Sequence, residues 1–398
     1  MIKNLVKTKI KIEKVLFIIL VLVFCITASD EVGNNLSLYK YIILVVCIIQ
    51  AFLVYSKRKK YNNLVVNKEM KYLVFFVIVL ILYSVFRSLV ATKFSFRTIQ
   101  ELLFLFCPML YAYLLVNTLK TKEINDVMKL AFYIVFIAYI ISLGLNISSI
   151  INALFNSSFS NSTSELESHI YSGFSLAFCA YFCFFDDKKV YKILSLLFVV
   201  MTFKRLSIIV AIFLFILSSL KIKNRNINKK VYVFVSIVLV VFAVGYYNIM
   251  LPKNVAKIES KYDIDISKLT STRSDRLSNL MSSNYETYGF GSSTEYMYKH
   301  FYGALEMDIV KIIIELGYIP VVLLVFVYLY VGKSNLYMFS FMCFQILSLT
   351  FSSSLTSSFA WILIFLTVFL INKESNRKSS MENQDTSDRK IEKLLINE

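Results

Sequence analysis

The chain lacks the short motifs by which many soluble enzymes bind phosphate or activate water. It has no glycine-rich phosphate-binding loop, no Gly-x-Ser-x-Gly elbow and no His-Glu-x-x-His pair. The sequence therefore offers no recognisable site for ATP, a serine nucleophile or a catalytic zinc ion. We expect no metal, no cofactor and no chemistry driven by ATP or a nucleotide sugar. Any reaction must use a substrate that arrives already activated.

Glycine and proline are also scarce, with 9 Gly and 3 Pro among 398 residues, whereas 57% of the residues are hydrophobic and 16% are aromatic. A soluble domain does not carry that much apolar surface, so the composition indicates an all-α polytopic membrane protein. The formal net charge of +17 does not predict nucleic-acid binding. Most of the excess lies in short loops beside apolar segments, where it sets orientation and contacts anionic lipid headgroups.

The cysteines all fall inside apolar segments, at Cys25, Cys47, Cys107, Cys179, Cys183 and Cys343. They are expected to pack as small hydrophobic residues rather than form disulfides. The i,i+4 pair of Cys179 and Cys183 is interpreted as packing rather than as a metal site.

We predict about twelve transmembrane helices. Their approximate limits are 15–28, 39–55, 71–89, 101–117, 127–145, 169–185, 188–203, 206–220, 231–248, 309–332, 335–352 and 358–372. They form one integral-membrane domain over residues 1–372, followed by a polar tail, 373–398, that we expect to be disordered.

The distribution of Lys and Arg predicts that both termini are cytoplasmic. With that orientation most of the 43 cationic residues lie inside, including the run at 57–60 and the cluster at 221–230. The lysine-rich N-terminus before residues 15–28 resembles a signal sequence, but the many apolar segments that follow favour a retained first span. The sequence thus predicts a multi-pass protein of a bacterial plasma membrane.

The segment 188–220 allows two interpretations, because two short apolar runs flank Lys204 and Arg205. One is a single 31-residue helix with the charged pair at the bilayer centre. The other is two short helices that meet below the outer surface and leave the pair in a depression open to the exterior. We favour two helices, because burying the pair at the bilayer centre costs more.

Two outer loops interrupt the regular pattern. The first, 146–168, is rich in Ser and Asn, and the second, 249–308, is a hydrophilic excursion whose length is typical of functional loops. In the second loop, Ser271–Thr272 resembles a helix N-cap, followed by an apolar stripe of Leu277, Leu280 and Met281. We expect a short amphipathic helix along the outer membrane surface, then a flexible turn at 289–291.

Cations at the outer side are unusual, because Lys and Arg normally collect on the cytoplasmic side. A bound diphosphate or another polyanion would account for them, since guanidinium groups suit bidentate contact with phosphate. The alternative is that individual side chains reach toward lipid headgroups. The candidate anion-binding residues are Arg87, Arg97, Lys204, Arg205, Arg273 and Arg276, with Lys93 beside the first two.

Candidate acids and bases are few. His169 and His300 are the chain's two histidines, and both lie at the outer mouths of predicted spans. Asp308 and Glu315 share a helical face with Lys311 at the start of the tenth span. The three side chains form either a structural ion-pair network or an acidic lining of a substrate cavity, and the sequence does not choose between these alternatives.

The stretches STRSDRLSNLMSSNYETYGFGSS, at 271–293, and EMDIVKIIIELGYIPVVLLVF, at 306–326, resemble the Wzy-type O-antigen and capsular polysaccharide polymerases. So does MTFKRLSIIVAIF, at 201–213, which is similar to the Thr-x-Ser-Arg turn of that family. Where related O-antigen ligases have His-Asn before the Asp, this chain has Glu306–Met307, which favours a polymerase over a ligase.

The resemblance implies a glycosyltransferase that acts at the outer face of the membrane. Such enzymes join oligosaccharide repeat units carried on undecaprenyl diphosphate, which serve as donor and acceptor, and need neither metal nor nucleotide. It also implies membrane lipids as partners, together with a flippase and a chain-length regulator of the same pathway. Two alternatives stay open: a flippase of lipid-linked sugars, and a non-catalytic cell-envelope assembly protein.

Overall fold

The computed structural model of the chain describes residues 11–28, 30–59, 66–143, 169–185, 189–301 and 303–375. Throughout these ranges the regular structure is helical, with no strand. In a hydrocarbon environment no water is present to hydrogen-bond the peptide groups. A helix satisfies its peptide N–H and C=O groups internally, so apolar segments in such an environment are helical.

The helices are labelled in chain order. The first eight are α1 Ile12–Ile26, α2 Asp30–Lys59, α3 Asn67–Val90, α4 Phe96–Thr118, α5 Thr121–Ser142, α6 His169–Phe185, α7 Lys189–Met201 and α8 Arg205–Ser219. The next five are α9 Lys229–Met250, α10 Pro252–Tyr262, α11 Ile266–Leu269, α12 Arg273–Ser282 and α13 Ser292–Phe301. The last four are α14 Asp308–Leu316, α15 Tyr318–Gly332, α16 Leu336–Phe351 and α17 Ser358–Ser375.

Six of the described helices are long and apolar enough to cross a membrane. They are Tyr39–Lys57 within α2, and the whole of α3, α4, α5, α9 and α17. The chain is therefore a helical membrane protein. Eleven of the twelve predicted spans each overlap one described helix, and the span 309–332 covers two. Helices α1, α6, α7, α8, α15 and α16 are shorter than a full crossing. The number twelve stays a prediction.

Helix α3 illustrates the environment that these helices suit. Leu73, Phe76 and Leu80 on one side are completely buried, whereas Leu82 and Leu89 on the other are 62% and 71% exposed. A helix whose exposed side is also apolar is stable in lipid and not in water.

The chain forms two compact units. Unit 1 comprises residues 1–65, 107–208 and 359–366, and unit 2 comprises residues 66–106, 209–358 and 367–398. In unit 1, Phe132 packs edge-on against Phe178 and Phe182. Cys179 and Cys183 form no disulfide and are buried, with their sulfurs 3.8 Å apart.

The structure confirms two helices in the segment 188–220. Helix α7 ends at Met201 and α8 begins at Arg205. Phe203 between them has a φ of 52°, which a continuous right-handed helix does not allow.

The predicted span 309–332 is also two helices. Helix α14 ends at Leu316 and α15 begins at Tyr318, because Gly317 between them has a φ of 92°. Glycine is the residue that adopts this conformation without steric cost.

The long segment 249–308 holds four short helices, α10 to α13, rather than the single one expected. Helix α12 confirms the amphipathic helix, with two corrections. Leu277 and Leu280 are buried in a protein cluster with Met250 and Met297, so its apolar side faces protein rather than lipid, and Met281 is 45% exposed. The helix also lacks the predicted side-chain cap, because Thr272 is left-handed, with a φ of 64°.

The predicted outer loop at 146–168 lies outside the described residues, as does the tail after residue 375. Helix α17 continues to Ser375, so the last span extends three residues beyond its predicted end at residue 372.

Candidate functional site

A network of charged side chains lies within unit 2, where the start of α4 meets α14. Glu101 of α4 forms ion pairs with Arg97, one turn earlier, and with Lys311 of α14. The Arg97 Nε donates to Glu101 Oε1 over 3.0 Å, and the Lys311 ammonium donates to Oε2. Glu101 is fully buried and Lys311 is 6% exposed, whereas the Arg97 side chain is 31% exposed. The network therefore runs from the protein interior to its surface.

Glu315, the second acidic residue of α14, holds the turn before α13. Its carboxylate accepts hydrogen bonds from the Gly291 and Ser293 backbone N–H groups, both 2.8 Å long, and from the Ser293 hydroxyl at 2.6 Å. A carboxylate at a helix N-terminus satisfies donors that have no partner inside the helix. The turn at 289–291 is consequently buried and fixed, not flexible as expected.

Both glycines of that turn are required by geometry. Gly289 and Gly291 have φ values of 127° and 91°. A Cβ on Gly289 would lie 3.1 Å from the Ser84 carbonyl oxygen, and one on Gly291 would lie 3.1 Å from the Glu101 Cγ. The close approach brings this turn against α3 and α4.

Asp308 has a similar anchoring role at the other end of α14. Its carboxylate accepts the Ser354 and Leu355 backbone N–H groups, each over 2.6 Å, and it is 2% exposed. Asp308 and Glu315 thus have protein donors on their carboxylates, whereas Lys311 pairs with Glu101 and not within its own helix. These contacts favour the structural alternative for both carboxylates over a cavity-lining acid.

A cavity of about 580 Å³ lies between the end of α3 and the start of α4. Its walls are mostly apolar, with Ile81, Val85, Leu89, Ile99 and Leu102 among them. The polar lining residues are Ser84, Ser88, Thr92, Lys93 and Thr98. An apolar hollow with one cation at its edge is suited to an amphiphile with an anionic head.

The edge of this cavity is built by contacts with the long segment. The Lys93 ammonium lies 4.1 Å from the centre of the Tyr288 ring. Burial, followed by hydrogen bonding to Glu295, raises the pKa of Tyr288, so its ring stays a neutral phenol beside the cation. The Tyr288 carbonyl accepts the Ser88 hydroxyl, and Glu295 accepts that of Ser95. The α3–α4 turn and the segment 288–295 therefore form one surface.

Arg273 and Arg276 share the carboxylate of Glu306. The Arg276 Nη1 lies 2.7 Å from Glu306 Oε1 and donates to the Ala304 carbonyl over 2.9 Å, while the Arg273 Nε lies 3.9 Å from Oε2. Glu306 has a φ of 56°, a strained conformation for this residue. The pair predicted to bind an anion is thus associated with an anionic group of the protein itself.

The remaining candidates differ in position. Arg87 is half-buried in the last turn of α3, and His300 is exposed on α13 with its ring 4.4 Å from that of Tyr296. Lys204, half-buried, and Arg205, exposed, belong to unit 1, at the α7–α8 break. His169 begins α6, also in unit 1, and its side chain lies outside the described part.

Glu101 is the residue that sequence analysis missed. The signal was present, because Arg97 and Glu101 are four residues apart at the start of an apolar helix. An acidic residue inside a candidate span is a functional candidate by default.

One further sequence feature bears on the expectation that the chain does not use a nucleotide sugar, because Asp-x-Asp pairs can hold the divalent cation of such a substrate. The long segment does contain an Asp-x-Asp sequence, Asp263–Ile264–Asp265. Asp265 caps α11 by accepting the Lys268 N–H over 2.9 Å, and this hydrogen bond holds the pKa of Asp265 below its usual value. Asp263 ends α10 in a left-handed conformation. Both residues thus have local roles at helix ends.

No protein-family model matches this chain, and neither a curated protein nor a solved structure is significantly similar to it. The functional argument therefore rests on the residues of the site.

Proposed function

We propose that the chain is a polysaccharide polymerase, a glycosyltransferase that uses lipid-diphosphate-linked oligosaccharides at the outer face of a bacterial plasma membrane. The observation that carries this proposal is the α3–α4 cavity, which is apolar along its walls and cationic at Lys93. Arg97 is the second residue of α4, and its guanidinium is paired with Glu101. A polyprenyl chain requires apolar walls, and its diphosphate requires cations beside them.

In the proposed reaction an acceptor hydroxyl oxygen attacks the anomeric carbon of the donor sugar. The new C–O bond forms while the bond from that carbon to the diphosphate breaks, and the diphosphate leaves with the electron pair on its lipid. The hydroxyl proton passes to a base, for which His300 is the exposed candidate in unit 2. Cations at the diphosphate stabilise the charge that develops on departure.

The described structure supports the polymerase over the other sequence-based alternatives in one respect. Within unit 2, the segment 249–308 packs against α14 through the Ser293–Glu315 hydrogen bond and against the α3–α4 turn through the Tyr288–Lys93 contact, so it is not a simple connection. An enzyme that binds both a lipid and a sugar requires such an ordered surface. A flippase requires no such element, and a non-catalytic assembly protein would tolerate loss of individual cations.

The test is the double substitution Lys93→Gln/Arg97→Gln in the strain that encodes the chain. Surface glycans are separated on a gel, and the level of the protein in the membrane is measured in parallel. The expected result is a collapse of the glycan ladder to single repeat units at normal protein level. Lys268→Gln is the matched control, because this side chain is 87% exposed, and it should keep the full ladder.

Two outcomes would contradict the proposal. A full-length ladder from the double variant would show that Lys93 and Arg97 are not needed to bind the diphosphate. Lipid-linked repeats trapped on the cytoplasmic leaflet would indicate a flippase instead.

A further inference from the structure

The buried Glu101–Lys311 pair is an expensive feature in an apolar environment. Removing two charges from water costs several kcal/mol per ion, and this penalty can equal or exceed the mutual attraction of the pair. Well-packed apolar side chains of similar volume often stabilise such a contact as well as a buried ion pair does. Stability alone therefore does not explain it.

The geometry indicates what else the pair does. Glu101 divides its two carboxylate oxygens between the buried Lys311 and the half-exposed Arg97. Its contact with Lys311 fixes the carboxylate, and the carboxylate then fixes the Nε edge of the guanidinium. The Arg97 backbone is fixed separately, because its N–H donates to the Ser95 hydroxyl over 3.0 Å. Backbone and side chain of Arg97 are thus restrained by different contacts.

Charge balance explains why Lys311 is needed. Glu101 alone would neutralise Arg97 and remove its attraction for an anion. With Lys311 present, Glu101, Arg97 and Lys311 together carry one net positive charge, and the exposed member of this group is the Arg97 guanidinium. The Asp308 and Glu315 carboxylates also interact with Lys311, but each is held by backbone N–H donors of its own. A neighbouring carboxylate can then orient the guanidinium without cancelling it.

We propose that Glu101, fixed by Lys311, is a positioning residue that holds the Arg97 guanidinium ready for the diphosphate of a lipid substrate. This inference rests on the proposed function, because it assumes that Arg97 contacts the diphosphate. A guanidinium already restrained in its binding orientation loses less side-chain entropy when the ligand arrives.

The experiment measures binding of farnesyl diphosphate and of farnesol to the full chain in detergent micelles. The two probes share an apolar chain, so their affinity ratio isolates the contribution of the diphosphate. A general loss of structure weakens both probes, whereas loss of Arg97 positioning weakens only the diphosphate. The ratio is thus a readout that a merely structural role would not change.

Three variants test the positioning role, and a fourth, Arg97→Gln, tests whether Arg97 contacts the diphosphate. Glu101→Gln/Lys311→Gln removes both buried charges together, so neither is left unpaired, and the affinity ratio should fall about tenfold. Glu101→Lys/Lys311→Glu restores an ion pair but places a cation beside Arg97, so the ratio should remain low. Arg97→Lys leaves the buried pair intact but lacks the Nε donor, and it should lower the ratio in a chain that still folds.

The control is Lys11→Gln/Glu123→Gln, which removes an ion pair of 2.6 Å in unit 1 and should leave the ratio unchanged. If the reversed pair or Arg97→Lys keeps the wild-type ratio, the positioning role is wrong while the proposed function stands. If the wild-type chain binds both probes equally, or Arg97→Gln keeps the preference, the diphosphate role of Arg97 is itself wrong. In that case the positioning role proposed for Glu101 is also wrong.

Discussion

At the scale of single residues, the site depends on side chains whose partners are far away in sequence. Glu101 and Lys311 are separated by 210 positions, and Glu315 accepts hydrogen bonds from residues more than 20 positions earlier. Each of these groups is buried, so each requires its partner to be present. The chemistry of the site is therefore a product of the fold rather than of a local motif.

The turn before α13 gives a prediction at this scale. Gly291→Ala should lower the free energy of unfolding by about 1–3 kcal/mol, because a left-handed φ and a close contact with Glu101 both oppose a Cβ. Denaturant unfolding in micelles measures the change.

Gly245→Ala is the matched control, because nothing lies within 4 Å of the added Cβ in the interior of α9. It should be neutral or stabilise the chain by about 0.5–1 kcal/mol. Equal destabilisation by both substitutions would mean that the turn at Gly291 is not restrained as described.

At the scale of helices, the ends are defined by individual backbone conformations. Helix α10 ends where Asp263 adopts a φ of 51°, and its side chain is exposed. Left-handed backbone costs a residue with a Cβ roughly 1–2 kcal/mol, and Asp somewhat less than most. Such positions usually hold glycine.

Asp263→Gly should therefore raise the free energy of unfolding by about 0.5–1 kcal/mol. Lys261→Gly, two residues earlier and still helical, should lower it by about 1 kcal/mol. The same denaturant titration compares the two variants. If neither substitution raises the free energy of unfolding, or if both raise it, α10 does not end at Asp263.

The sequence predicted helices better than it predicted their interruptions. All twelve predicted apolar segments are helical, and eleven of them overlap a single helix, because apolar composition and length are local properties. The break at Lys204 was foreseen, since a charged pair divides the apolar run, but the break at Gly317 was not, since one glycine is common within helices. The pairing of Lys311 with Glu101 was not predicted either, because helical spacing indicates only neighbours within α14.

The candidate site was predicted in part for the same physical reason. Charges beside apolar segments identified Arg97, and its role in binding an anion stays a prediction. Glu315 and Asp308 anchor loops because residues 291–293 and 354–355 lie next to them in the folded chain. No periodicity in the sequence carries that information.

At the scale of the whole molecule, the charge distribution predicts which ends of the helices lie outside the cell. Single cysteines at positions 205 and 268 should react with a membrane-impermeant maleimide in intact cells, and one at position 230 should react only after lysis. The background is a chain whose six native cysteines are replaced. Labelling of position 230 from outside would show that the orientation is the reverse of the predicted one. The proposed site would then not be accessible to a lipid diphosphate at the outer face.

The separation between Glu101 and Lys311 has a consequence for biogenesis. The ribosome completes α4 long before it reaches α14, so for about 200 residues of synthesis the carboxylate has Arg97 but not its buried partner. A charge at the centre of a newly inserted helix costs about 3 kcal/mol in insertion by the translocon, and one in the second turn, where Glu101 lies, costs less the nearer it stays to water. The first turns of α4 should therefore stay near the aqueous boundary until α14 emerges, which makes docking of these two helices a late step in maturation.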